Sequence, residues 1–183
     1  MDTTTVVAPL LSDIPPWLLS TPETDITLSN TVSKKDSQEV LLALARDTID
    51  QRYAGYVHIY TDASITSSGR AGIGCYIQSN SVTLEIEEAA RITDGVTILA
   101  AEMTAIKSAF DKIQLLENTT CIKFAVFTDS LNTIALFSAG QCQSRPNLFV
   151  ELMILLHGIK SQVVLVWIPS HIGIPGNERA DKL

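Results

Sequence analysis

The order of apolar segments from residue 56 onward is the feature that most limits how this chain can fold. Short polar turns join the first three apolar segments, a pattern typical of an antiparallel meander. Helical periodicity then separates the later apolar segments, which favours parallel pairing between them. The predicted strands lie at 56–61, 71–78, 82–92, 122–127 and 163–168. The predicted helices lie at 97–117, after Ser130 and at 146–157, which gives the order βββαβααβ.

This order predicts an α/β domain built on one mixed five-stranded sheet with flanking helices. The first three strands are expected to be antiparallel. The first, fourth and fifth are expected to be parallel, since helices link them. With 46% hydrophobic residues, the chain has enough apolar side chains for a packed core.

The N-terminal region has a different character. Residues 1–35 are rich in proline, serine and threonine and predict an irregular leader. The run from Asp36 to Glu39 resembles a capping box with Asp36 as the cap. Apolar residues at helical spacing follow it and predict one helix. We therefore divide the chain into a leader or connector with one helix, residues 1–51, and a domain at 52–183.

Composition excludes several classes of protein. The net charge of −7 argues against a free-standing, high-affinity binder of nucleic acid. Three cysteines without CxxC spacing suggest neither a disulfide framework nor a zinc site, and buried thiols in a reducing compartment are expected. No apolar run approaches the length of a membrane span, and no signal peptide is evident. The expected location is intracellular, in the cytoplasm or nucleus, without a membrane partner.

Four acidic residues stand out against this apolar background: Asp62, Glu102, Asp129 and Asp181. A carboxylate beside a strongly apolar segment is costly unless something positive pairs with it. If the first and fourth strands are neighbours, Asp62 and Asp129 end up side by side at the strand ends. Glu102 lies in the first turns of the long helix, and its side chain points back toward the helix start. Such an all-oxygen set suits Mg²⁺, and two divalent ions would balance its charge.

Five segments follow one another in the order YTDAS, AGIGCYI, AAEMTAI, FTDSLNTI and WIPSHIGIPGNERADKL. Together they cover about residues 52–183, and they resemble the type 1 ribonuclease H family, in the form carried by the polyproteins of non-LTR retrotransposons. Upstream, PPWLL followed by a helix is similar to the stretch that joins the reverse transcriptase of such elements to the nuclease.

The resemblance implies an RNase H-like fold and hydrolysis of the RNA strand of RNA–DNA hybrids with two Mg²⁺ ions, Mn²⁺ being able to substitute. It assigns the metal ligands to the four acidic residues named above. It also assigns proton transfer or product release to His171, a residue type suited to this near neutral pH, and a place near one metal to Glu178. The implied partners are the hybrid and a reverse transcriptase domain of the same polyprotein.

Two alternatives stay open at this stage. In the family a final helix holds the residue that matches Asp181, and the sequence stops two residues later, so we expect that C-terminal helix to be truncated. A catalytically impaired interaction domain that kept the fold is therefore the first alternative. The second is another nuclease or a transposase of the RNase H-like fold.

Overall fold

A computed structural model describes residue 19 and residues 21–33, 35–79, 84–117 and 123–183. Its strands are β1 (Glu23–Asp25), β2 (Val57–Ile65), β3 (Ala71–Ser79), β4 (Leu84–Ile92), β5 (Phe124–Thr128) and β6 (Val163–Trp167). Its helices are α1 (Thr27–Thr31), α2 (Gln38–Arg52), α3 (Ile98–Leu116), α4 (Leu131–Ala139), α5 (Pro146–Gly158) and α6 (Pro175–Asp181).

The strands form one mixed sheet in the order β1-β6-β5-β2-β3-β4. Strands β2, β3 and β4 pair antiparallel, while β2, β5 and β6 pair parallel. The predicted mixed α/β sheet is confirmed. It has six strands among the described residues rather than five, because β1 adds to the edge of β6 in parallel.

The sixth strand comes from the segment that the sequence predicted to be irregular. Three residues are too few to show a periodic pattern, and β1 exists because the edge of β6 offers it hydrogen-bonding partners. The described residues of the region 1–51 therefore contribute a strand and two helices, where one helix was predicted. The segment Trp17–Leu18 lies outside the described residues, as does Cys121. The division at residue 52 stays a prediction.

Asp25 ties the N-terminal elements together. Its carboxylate is 8% exposed and accepts hydrogen bonds from the Thr27 amide, at 2.9 Å, and from the Tyr53 hydroxyl. Arg52 Nη1 lies 2.7 Å from the same group. Burial alone would raise the pKa of Asp25, but hydrogen bonds from Thr27 and Tyr53 outweigh it and the pKa is lowered. The end of β1 is thus bound to the end of α2.

Helix α2 begins one residue later than the sequence suggested. Ser37 is its N-cap, and the Ser37 side chain accepts from Val40 N at 3.4 Å. The predicted cap, Asp36, instead accepts from Ser33 N at 2.6 Å and closes the preceding turn. Serine and aspartate are both good caps, so the sequence alone could not choose between them.

Two apolar layers cover the sheet. On one face α3 packs on β2, β3 and β5, α4 packs on β6, and α5 packs against α3, with Phe110, Phe124 and Phe137 fully buried. On the other face α2 covers an aromatic group in which Tyr53 meets Phe127 edge-on at 5.7 Å. None of the described helices is both long and apolar enough to cross a membrane.

Candidate active site

The parallel pairing of β2 with β5 brings two of the predicted carboxylates together. Tyr60 lies opposite Phe127 in this pair, so the same register carried two residues further places Asp62 opposite Asp129. Asp129 follows the last residue of β5, as predicted. Asp62, predicted to end its strand, lies within β2, because pairing with β3 continues the strand to Ile65.

Helix α3 supplies the third carboxylate. Thr97 caps the helix by accepting from Ala100 N at 3.2 Å, and Glu102 follows in the second turn. Glu102 is 5% exposed, and within the described part of the chain its Oε2 has no hydrogen-bond partner. Oxygens of Glu102, Asp62 and Asp129 all lie within 4.8 Å of one another. These three residues are called the carboxylate triad below.

The three carboxyl groups of the triad lie close together at a site with little exposure to solvent. Burial raises the pKa of Glu102 to about 9, with further contributions from the charges of Asp129 and Asp62. Burial also raises the pKa of Asp62 to about 7, helped by a hydrogen bond with Asp181 and by the charge of Asp129. The pKa of Asp129 is raised by burial, although His171 opposes the shift. Each shift shows that the ionised form needs a nearby positive charge.

These residues fit a divalent cation on chemical grounds. All donors are carboxylate oxygens, which are the ligands that Mg²⁺ and Mn²⁺ prefer. No hydrogen-bond partner among the described residues compensates the buried Oε2 of Glu102. A bound cation would satisfy that atom and balance the charge of the triad.

Helix α6 brings Asp181, the fourth predicted ligand, to the same place. From the sequence, the C-terminal helix that holds this residue was expected to be truncated. The structure shows seven helical residues that begin at Pro175 and end at Asp181. Proline suits the first turn, where its missing N–H costs nothing. Asp181 lies close enough to Asp62 to raise the pKa of that carboxyl, but it is not one of the three residues whose oxygens meet within 4.8 Å.

Two glycines allow α6 to lie directly on the sheet. A Cβ atom at Gly74 would overlap the backbone carbonyl of Ala180, and one at Gly176 would overlap the ring of Tyr60. The sequence analysis did not single out either glycine. A glycine inside a strand is a known sign of close backbone approach and could have indicated Gly74.

Arg179 links α6 to the edge strand β4 through ion pairs. Its guanidinium pairs with Glu87, lies 3.4 Å from Glu85 and stacks over Tyr76 at 5.3 Å from the ring centre. This residue was also missed, because the sequence gives no indication that its partners would be on β4. Arg179 is two residues before Asp181, so this contact bears on where that carboxylate lies.

His171 occupies the loop between β6 and α6. Its Nδ1 is 3.6 Å from Asp181 Oδ2, and its side chain is 70% exposed. The backbone of His171 is left-handed, with φ of 52°. Glu178, predicted to lie near a metal, accepts from Gly173 N at 3.2 Å and so holds this loop. Its role beside a metal stays a prediction.

Trp167 links the end of β6 to the triad. Its indole Nε1 donates to the backbone carbonyl of Asp129 at 3.0 Å. Nearby, the amide of Ser130 donates to Thr128 Oγ1 at 3.1 Å. These bonds fix the backbone on both sides of Asp129.

The RNase H family model matches residues 54–183. The chain belongs to the RNase H family. The match begins after α2, so the region before residue 54 lies outside it. It includes the triad, α6 and the His171 loop.

Solved RNase H structures have a similar fold. RNase H1 from the halophilic archaeon Halobacterium salinarum NRC-1 aligns over 70% of this chain and 94% of its own, with a TM-score of 0.57 and 23% identity. LC11-RNase H1 in complex with an RNA/DNA hybrid aligns over 69% of this chain and 94% of its own, with a TM-score of 0.58 and 21% identity. Another structure of LC11-RNase H1, isolated from compost, aligns over 70% of this chain and 97% of its own, with a TM-score of 0.57 and 23% identity.

Proposed function

We propose that this chain is a ribonuclease H that cleaves the RNA strand of RNA–DNA hybrids with two Mg²⁺ ions, which Mn²⁺ can replace. The observation that carries the proposal is the triad of carboxylates, in which Glu102 is buried, Asp62 and Asp129 are largely buried, and all three have oxygens within 4.8 Å of one another. Membership of the RNase H family supports the reaction class. The LC11 relative crystallised with an RNA/DNA hybrid supports the substrate class.

Each site residue has a role that its position suits. The triad and Asp181 would hold the ions, with Asp181 reaching them from α6. When bound, the ions supply activation of water and stabilisation of charge on the phosphodiester oxygens. His171 is exposed beside Asp181, so it can exchange protons with solvent and with the leaving group. Glu178 keeps the loop of His171 in place.

The net charge bears on substrate binding. A chain with a charge of −7 repels a nucleic acid at long range, and this weakens binding where no cation is present. Two divalent ions would balance the four negative charges of the triad and Asp181 at the point of contact. We therefore expect both hybrid binding and hydrolysis to depend on the metal.

The cellular context is also part of the proposal. The motifs resemble the nuclease of non-LTR retrotransposon polyproteins, which implies an intracellular protein whose partner is a reverse transcriptase domain of the same polyprotein. The region before residue 54 docks on the nuclease sheet through β1 and α2.

One assay tests the activity. A hybrid labelled on its RNA strand is incubated with the wild-type chain in Mg²⁺, in Mn²⁺ and in EDTA, beside duplex RNA and duplex DNA. We expect cleavage of the hybrid RNA strand with either ion and none in EDTA. The Asp129→Asn variant is the control, and equal cleavage by both proteins would exclude the mechanism. Hybrid binding without cleavage would support the interaction-domain alternative, and equal cleavage of duplex DNA would support another nuclease.

A further inference from the structure

Helix α2 lies outside the region that matches the RNase H family, yet it contacts the loop that carries His171. Gln38, the first residue of α2, donates from Nε2 to the backbone carbonyl of His171 at 3.2 Å. One turn further along, Leu42 reaches the loop at Gly173. Leu42 Cδ2 lies 3.8 Å from the position that a Cβ atom on Gly173 would take.

The loop also shares its apolar contacts with α2. Ile172 is 6% exposed and Ile174 is 2% exposed, and both belong to the apolar cluster that contains Ala45 and Ile49 of α2. The side chain of His171 points away from this cluster and is 70% exposed. The loop is therefore anchored beneath α2 while the imidazole faces the carboxylates.

The backbone of His171 needs such support. Its φ of 52° is in the left-handed region, which residues other than glycine adopt at a cost and keep only where neighbouring structure imposes it. Glu178 holds the loop from α6, through Gly173 N. Gln38 holds it from the other side, through the carbonyl of the strained residue itself.

We propose that Gln38 and Leu42 are positioning residues for His171. Helix α2 then belongs to the working nuclease, and a change upstream that displaces α2 changes the rate of hydrolysis. This inference rests on the proposed function, because it concerns the residue assigned to proton transfer. It differs from that function in assigning a role to a segment outside the family match.

The kinetic test compares Gln38→Ala with Gln51→Ala in the full chain. Gln51 is the same residue type on the same helix, but its side chain bonds Asp47 within α2. Loss of one hydrogen bond should lower kcat by about three- to tenfold in Gln38→Ala, with KM changed by less than about twofold. Gln51→Ala should match the wild type. Equal kcat in Gln38→Ala and Gln51→Ala would overturn the proposal.

A second comparison asks whether Gln38 acts through His171. In a chain that already carries His171→Ala, the Gln38→Ala change should have no further effect on kcat, because residues that act through one group are not additive. If Gln38→Ala lowers kcat equally with and without His171, the helix acts by another route and the proposal is wrong. Melting temperatures of all variants show whether the fold is kept.

A third measurement does not depend on activity. Amide hydrogen exchange is followed at 172–174 in the metal-free full chain. We expect faster exchange in Gln38→Ala and in Leu42→Ala than in Gln51→Ala, because the loop opens more often without its anchor. Identical exchange in all three would contradict the proposal. If the wild-type chain cleaves no hybrid, the proposed function fails, while this experiment still decides whether α2 holds the loop.

Discussion

The carboxylate triad and the α6 region form one site but are held in place by different means. Asp62, Glu102 and Asp129 lie on elements whose neighbouring residues are central to the core, as Met103 and Phe127 show by being fully buried. Asp181, in contrast, lies at the end of a seven-residue helix that rests on the sheet from outside.

This difference predicts how each half responds to mutation. Core packing sets the position of the triad, so the triad should persist in any variant that folds. Close glycine contacts and one surface arginine set the position of α6, so single substitutions there should displace it without unfolding the domain.

Asp129→Asn should reduce hydrolysis to below about 1% of the wild-type rate, because it removes one charge from the proposed metal site. The same change should raise the melting temperature in EDTA. The charge of Asp129 contributes to the raised pKa of Glu102 and Asp62, so its removal relieves repulsion within the triad. Steady-state rates and thermal unfolding measure the two effects. A lower melting temperature in EDTA would show that the triad is not strained by its own charge.

Gly74→Ala should displace α6 and lower both activity and stability. The new methyl group would overlap the carbonyl of Ala180, and such overpacking costs about 1–3 kcal/mol in free energy of unfolding. Because Asp181 moves with the helix, kcat should fall by about tenfold or more.

Gly72→Ala is the matched control on the same face of β3. A Cβ there meets its nearest atom, Ala90 O, at 3.7 Å, which is an ordinary contact. If Gly74→Ala keeps the wild-type kcat, the docking of α6 is not what positions Asp181.

The triad should make stability in EDTA fall as pH rises. The pKa of Glu102 is raised from 4.5 to about 9, so the folded protein holds this proton more tightly than the unfolded chain does. The contribution of Glu102 to the free energy of unfolding is complete below the pKa of this residue in the unfolded chain. It is lost as pH rises through the pKa of the residue in the folded protein. Asp62, raised from 3.8 to about 7, acts in the same direction at lower pH.

Thermal unfolding between pH 5 and pH 9 measures this effect. We expect Glu102→Gln to flatten the curve, and Mg²⁺ to raise the melting temperature of the wild type more at pH 8 than at pH 6, since the ion binds the ionised form. An equal gain from Mg²⁺ at both pH values would count against the triad as the metal site.

Arg179→Gln should give the smallest effect, because its ion pairs with Glu87 and Glu85 are exposed to solvent. We expect kcat to fall by no more than about fivefold, with the pH dependence in EDTA unchanged. Arg179→Glu alone should also lower kcat. Adding Glu87→Arg to it, which reverses the ion pair, should restore part of that loss of kcat. Failure of the reversed pair to improve on Arg179→Glu alone would show that the contact does not position α6.

The sequence predicted the order of elements and the grouping of Asp62, Glu102 and Asp129, and it failed where contacts between distant segments decide the outcome. Alternation and helical spacing are local signals, so the strands and helices from Val57 to Trp167 are confirmed. The strand β1 carries no such signal, because it forms only against the edge of β6. The cap of α2 was assigned to Asp36, although Ser37 holds that position.

By itself, the sequence determined which side chains could carry the chemistry. The motif that contains Asp181 was evident from it, and Asp62 and Asp129 were expected side by side if the first and fourth strands were neighbours. Only the tertiary structure decided how the site closes. The contacts of Gly74 with Ala180 and of Gln38 with the His171 loop join segments far apart in the chain. Local patterns do not encode such distances, because packing of the whole domain sets them.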